Sequence, residues 1–205
     1  FILKFEIGGV RPGYLFFSKV AAAVSRFLEF TNAGSLFVFG GLADAAANTG
    51  HDWRYMVLAT VAGERADARI VVLREVDADA RELLFFTDSR SPKVEQMQQQ
   101  PTATLVAWSP GRLWQLRLSV RCTVLTDGLE VSSRWARMKL SPAASDYLSP
   151  LPPGAPLEHP LPDRSSRENF AVVSAQVESM DWLELHAQGQ RRACFDMRGA
   201  RWLQP

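Results

Sequence analysis

The sequence predicts a mainly β chain: a closed antiparallel barrel with a few helices packed outside it. Six or seven short apolar runs are spread along the whole chain, and most are separated by turn residues rather than by long helical segments. Few segments carry a helical period, and no repeat at a fixed spacing is visible. The proline-rich stretch between Pro150 and Pro162 reads as an internal loop, because strands on both sides of it are needed to close the sheet, so one domain is expected.

The elements follow in order. Gly8, Gly9, Pro12 and Gly13 punctuate the start. Phe17 to Phe30 reads as a helix, with Val20, Val24, Phe27 and Leu28 on one face. Gly40 and Gly41 precede an alanine-rich helical stretch, Leu42 to Ala47. Strands are expected over Tyr55–Val61, Asp67–Val76 and Glu82–Thr87, with Gly63 and Asp77–Asp79 as turns. Ser91 as N-cap and Pro92 at the first helical position open a helix over Lys93–Gln100, which Pro101 stops. Thr102–Trp108 and Leu113–Thr126 are the next strands, joined by Ser109-Pro110-Gly111. Leu129–Leu140 reads as a helix, and Ser141-Pro142 opens another helical turn. Half of the 12 prolines lie between Pro150 and Pro162, which predicts an extended loop there. Phe170–Leu185 and Arg191–Met197 form a closing hairpin around Gln188-Gly189-Gln190, followed by Arg201-Trp202-Leu203.

Composition narrows the function classes. The chain has 205 residues, 47% of them hydrophobic and 22% charged, which excludes long disorder, collagen-like repeats and a disulfide mini-fold. Lysine and arginine number 23 against 22 acidic residues, so neither nucleic acid nor a membrane surface is an expected partner. The longest uncharged run, Phe30–Ala43, is 14 residues, short of the roughly 20 that cross a bilayer. Cys122 and Cys194 form no CxxC pair, and His51, His159 and His186 are scattered, so no metal site is expected. Both cysteines read as small buried hydrophobes, and their scarcity points to a reducing, cytoplasmic setting. None of GxSxG, HExxH, a Walker A loop or GxGxxG after a strand is present.

The cations are more informative. Arg69 and Arg74 bracket Ile70-Val71-Val72-Leu73, a strand apolar enough to be buried on both faces. An arginine at its end then points into a cleft or across an interface and needs an anionic partner. Ser89, Arg90, Ser91 and Lys93 gather hydroxyls, cations and free N–H groups at a helix start, either an anion site or an ordinary cap with solvated basic residues. Trp182 and Arg192, on consecutive strands, either flank a planar ligand or are a core tryptophan and a surface arginine.

Taken together, these segments resemble the pyridoxamine 5′-phosphate oxidase family of FMN-binding split barrels. The resemblance covers roughly residues 42–205. It rests on the order and spacing of LATV (58–61), ARIVVLR (68–74), FFTDSRSPK (85–93), QQP (99–101), AW (107–108), QLRLS (115–119), DWLELHAQGQRRACF (181–195) and a terminal WLQP. It implies a six-stranded antiparallel split barrel over 42–205, with 1–41 as an N-terminal extension. It also implies a homodimer carrying FMN at the subunit interface. Arg69 resembles the phosphate-binding arginine, Ile70, Val71, Val72 and Leu73 the strand beside the isoalloxazine ring, and Arg74 closes that motif. Phe86 and Thr87 match an aromatic–Thr pair. Ser91 and Lys93 match the serine and lysine of the S-R-K phosphate motif. Gln115, Trp182 and Arg192 match residues that reach the flavin of the other subunit.

The departures bear on substrate. Pro92 replaces the arginine of S-R-K, and Val120 a glycine. Ser141 and Ser145 stand where an R-x-x-x-S pattern would hold a substrate phosphate, so its arginine is missing. Gln188-Gly189-Gln190 replaces the R-L-H triplet. Each lost charge-assisted contact removes about 1.5–3 kcal/mol of recognition. The expectation is therefore an FMN-dependent oxidoreductase of unidentified substrate, with no assigned catalytic residue. The alternatives are a non-catalytic FMN or B6-vitamer binding module, or a true pyridoxamine 5′-phosphate oxidase. Haem would need an axial ligand, for which His186 is the candidate, although a histidine on a hairpin is usually solvated.

Overall fold

The computed structural model describes residues 33–157 and 169–205. The helix expected over Phe17–Phe30 lies outside them. Among the described residues, nine strands form one antiparallel sheet: β1 (Tyr55–Ala62), β2 (Arg65–Val72), β3 (Glu75–Asp77), β4 (Glu82–Asp88), β5 (Thr102–Ser109), β6 (Trp114–Leu125), β7 (Phe170–Glu184), β8 (Arg191–Asp196) and β9 (Gly199–Leu203). The hydrogen-bonded path runs β2-β1-β5-β6-β7-β4-β3, with β8 on β7 and β9 on β8.

The path does not close, which corrects the expectation of a closed barrel. The reason lies in β7, whose 15 residues outrun any one neighbour on one edge. Its first half pairs with β4 (Phe170↔Asp88) and its second half with β8 (Trp182↔Ala193). Its other edge pairs with β6 throughout, with a register shift between Ser119 and Val120. At the far side, Arg74 N donates to Leu84 O at 2.9 Å, bringing the end of β2 against β4 without a ladder. The family resemblance implied six strands; the described residues form nine, three of them the short β3, β8 and β9, within the same split-barrel class.

Inward and outward residues alternate cleanly along β6. Trp114, Leu116, Leu118, Val120 and Cys122 are buried, while Gln115, Arg117, Ser119 and Arg121 face out. Two tryptophans beside Trp114 fill one end of the interior: Trp182 meets it edge-on at 5.5 Å between ring centroids, and Trp53 lies 6.4 Å away. A second apolar cluster sits on the opposite face of β4 and β7. There Leu84, Phe170 and Val172 pack against Val131, Trp135 and Met138 of a helix over Gly128–Met138, and against Tyr147 of the 3-10 turn Pro142–Tyr147.

The apolar strand after Arg69 is not buried on both faces. Val71 and Leu73 enter the core, but Ile70 is 61% exposed. β2 is an edge strand of an antiparallel sheet, so its outer side chains have no covering layer within one chain.

Helix α1 (Ala33–Ala47) is longer than the expected Leu42–Ala47 and runs unbroken across the boundary expected at 41/42. Val38 and Phe39 before that point and Leu42 and Ala45 after it enter the same core. Gly41 permits this close approach, because a Cβ there would lie 2.9 Å from Cζ3 of the buried Trp53 ring. Gly41→Ala is expected to destabilise the fold by about 1–3 kcal/mol. Urea denaturation reads this directly, and an unchanged midpoint would show that the ring has room to move. Helix α2 (Pro92–Gln99) starts at Ser91 and Pro92 as expected.

Candidate functional site

A cluster of polar side chains forms where α2 covers one end of the barrel. Lys93, in the first turn of α2, donates from Nζ to Ser91 Oγ at 2.6 Å and to Thr87 Oγ1 at 3.1 Å. Ser91 thus spends its hydroxyl on the lysine and makes no side-chain cap bond to α2. Thr87 and Ser91 are themselves buried. No carboxylate lies within ion-pair distance of Lys93 among the described residues. Burial, and then the charge of Arg69, hold its ammonium below the usual lysine range.

Arg69 comes from β2. Residues 69, 71 and 73 share one face of that strand, so Arg69 follows Val71 and Leu73 inward and emerges at the end that α2 covers. Its guanidinium donates to Leu58 O at 3.3 Å, Thr60 Oγ1 at 2.5 Å and Gln96 Oε1 at 2.9 Å, and pairs closely with the Asp67 carboxylate. Gln96, one turn along α2 from Lys93, also accepts from Thr60 Oγ1 at 2.6 Å and donates to Asp67 Oδ2 at 2.9 Å. Its amide, then the neighbouring arginine, keep the Asp67 carboxyl below its ordinary pKa. Thr60, Asp67 and Gln96 were not singled out in the sequence. Their signals were positional: Asp67 is two residues from Arg69 on one strand face, and Gln96 is three residues from Lys93 on one helix face.

Arg74 lies apart from this cluster. An odd separation along the strand turns it to the face opposite Arg69. Its guanidinium stands 5.9 Å from the centroid of the Phe86 ring, and Nη2 lies 3.5 Å from the hydroxyl of Tyr147. Its Nε is buried without a hydrogen-bond partner among the described residues. Asp88, next to Thr87, is clamped by Arg90 through Nε at 3.0 Å and Nη2 at 2.7 Å. The same guanidinium donates to the carbonyls of Ser149, Pro150 and Leu151, tying the start of the proline-rich segment to the cluster.

The remaining expected residues occupy the other end of the sheet. Gln115, Leu183 and Arg192 are in register across β6, β7 and β8 and face outward. Arg192 is held by Asp181, donating from Nε at 3.0 Å and Nη2 at 2.7 Å. Trp182 is not on that face. It is 4% exposed and points into the barrel, because adjacent residues of a strand alternate. Trp182 and Arg192 therefore do not flank a common ligand in one chain, and the outward aromatic nearby is Trp108, opposite Gln115. Val71 and Leu73 likewise turn inward, which leaves Ile70 and Val72 as the outward side chains of that strand.

The donor set at the α2 end fits a phosphate monoester. Two cations from different elements stand near two hydroxyls, and one of them, the partly buried Lys93, has only hydroxyl partners among the described residues. Residues 41–126 match the sequence model described as "Pyridoxamine 5'-phosphate oxidase, FMN-binding domain". Over that stretch the chain is similar to the FMN-binding domain of the pyridoxamine 5′-phosphate oxidase family. A solved pyridoxamine 5′-phosphate oxidase-related FMN-binding protein from Nostoc punctiforme is 29% identical, with a TM-score of 0.63 over 81% of this chain and 96% of that one. PhzG from Burkholderia lata, solved with tetrahydrophenazine-1-carboxylic acid, has a TM-score of 0.66 at 17% identity, over 83% of this chain and 91% of that one. The second likeness is one of fold. No curated protein matches the chain in sequence.

Proposed function

We propose that this chain is an FMN-dependent oxidoreductase acting on a small molecule, as a homodimer. The observation that carries the reading is Lys93: a half-buried ammonium with two hydroxyl partners, beside a second cation, at a site a phosphate dianion would complete. Bound FMN would supply the hydride or electron transfer. The protein's own groups bind and orient. Lys93 and Arg69 hold the phosphate, Thr87 and Ser91 aim the ammonium, and Gln115 offers an amide to ring heteroatoms. Arg74, over Phe86, is a cation on the substrate side.

Two features set the substrate apart from a phosphorylated B6 vitamer. Ser141 Oγ donates to Met138 O at 2.8 Å and Ser145 Oγ to Pro142 O at 3.0 Å, so both hydroxyls are taken by their own turns. Ser141 itself stands at the place of the pattern's arginine, so no cation is there.

The dimer rests on an apolar outer patch. Ile70 and Val72 of β2, Tyr55 and Val57 of β1, and Val106 and Trp108 of β5 lie on adjacent strands and face out. Gln115 stands beside Trp108 and is thus offered to a second copy's flavin. Ile70→Glu is expected to give a monomer with reduced FMN content. Sedimentation of the purified variant checks it, and an intact dimer would remove this patch as the interface. No helix among the described residues is long and apolar enough to cross a membrane. Both cysteines are free, in keeping with a reducing, cytoplasmic setting.

The first test is a visible absorption spectrum, with the mass of whatever a mild denaturant releases. A flavin band with the mass of FMN, bleached by a nicotinamide cofactor or another electron donor, supports an oxidoreductase. Flavin that is bound but never reduced would favour a binding module. A colourless chain that does not take up added FMN would overturn the reading.

A further inference from the structure

The Asp67 carboxylate is part of the anion cradle and carries the wrong sign for it. It pairs with the guanidinium assigned to the flavin phosphate, and Gln96 Nε2 holds it there at 2.9 Å. The other three acceptors of Arg69 are neutral: Leu58 O, Thr60 Oγ1 and Gln96 Oε1. Asp67 is therefore the one acceptor that a phosphate replaces charge for charge. Geometry permits the exchange. The Asp67 side chain is 45% exposed and can turn to water, whereas that of Arg69 is 19% exposed and fixed by its neutral acceptors. The charges matter too. Arg69, Lys93 and Asp67 sum to one positive charge, against two without the carboxylate. Asp88 does not alter that count, because Arg90 neutralises it.

We propose that Asp67 is a built-in counter-ion that competes with the flavin phosphate for Arg69, so that the chain holds FMN as an exchangeable ligand, more weakly than its own cations would allow. The inference rests on the reading of Arg69 and Lys93 as the phosphate cradle. It assigns Asp67 a part in selecting between flavins. The carboxylate penalises FMN, which must displace it, and leaves riboflavin, which has no phosphate, untouched.

Titration of the full-length apoprotein with FMN and with riboflavin, read by quenching of flavin fluorescence, separates the possibilities. Asp67→Asn keeps the shape and removes the charge, and is expected to tighten FMN roughly tenfold with riboflavin unchanged. Asp67→Ala should tighten FMN in the same direction, which covers the case in which the new amide makes a bond of its own. Lys93→Ala is the control for the underlying reading, and FMN should weaken relative to riboflavin. If Lys93→Ala lowers FMN selectively while both Asp67 variants bind FMN equally or more weakly than wild type, the counter-ion inference falls and the cradle stands. Asp67 would then be positioning Arg69 rather than competing for it. If Lys93→Ala leaves the ratio of the two flavins unchanged, both fall.

Discussion

Lys93→Ala is expected to weaken FMN binding by about 10- to 150-fold, as the loss of one charge-assisted contact worth about 1.5–3 kcal/mol requires. Riboflavin affinity should be unchanged. The ammonium sits in a buried corner with Thr87 and Ser91, and no carboxylate within ion-pair distance among the described residues offsets its charge. Arg69→Ala should act in the same direction and less strongly, because Asp67 already satisfies part of its charge. Both variants should fold, since neither side chain belongs to the apolar core. Equal affinity for FMN and riboflavin in wild type would overturn the assignment before any variant is made.

The same lysine predicts a pH dependence. Its folded pKa is lowered, by burial first and by Arg69 second, so the unfolded chain holds that proton more tightly. The unliganded fold is therefore penalised below the lowered value. Stability returns as pH rises from there towards the ordinary lysine value of about 10.4. A bound phosphate favours the charged ammonium, so the melting-temperature increment from FMN should be largest near neutral pH and shrink in alkali. Melting curves with and without FMN, at neutral and alkaline pH, measure this directly.

Trp182→Ala should cost about 3–5 kcal/mol of stability, the usual penalty for deleting a large buried aromatic. The ring fills the barrel interior edge-on against Trp114, in the same core as Trp53. Any loss of flavin in this variant should follow the loss of fold, and Trp182→Phe should restore much of both. Arg192→Ala should leave stability nearly intact, because its pair with Asp181 lies on the outer face, where ion pairs contribute little. Urea unfolding beside flavin content separates the two residues. Wild-type stability together with lost FMN in Trp182→Ala would return that ring to the ligand.

Trp182 also shows where sequence reading stops. Its strand, its hairpin and its distance from Arg192 were legible, because an alternating apolar run bounded by Gln188-Gly189-Gln190 admits little else. The face was not. Side chains along a strand alternate, so a shift of one residue exchanges core for surface, and the register is set by pairing partners rather than by the strand itself. The bulge between Ser119 and Val120 is such a shift, and a single sequence does not announce it. Arg69 and Arg74 were found together as brackets of one apolar strand. Tertiary structure then parted them, one to the cluster under α2 and the other to the ring of Phe86.

The β character, nearly every strand, the helix start at Ser91 and Pro92, and the cations Arg69 and Lys93 were legible from local sequence alone. These depend on local preferences and on residue types that are costly to bury without purpose. That the sheet stays open, that α1 runs unbroken through residues 41 and 42, and that Asp67, Thr60 and Gln96 gather on Arg69 emerges only once the chain is packed. Those outcomes depend on contacts between residues far apart in the chain, such as Thr60 with Gln96, whose meeting follows from how strands pair and where a helix packs.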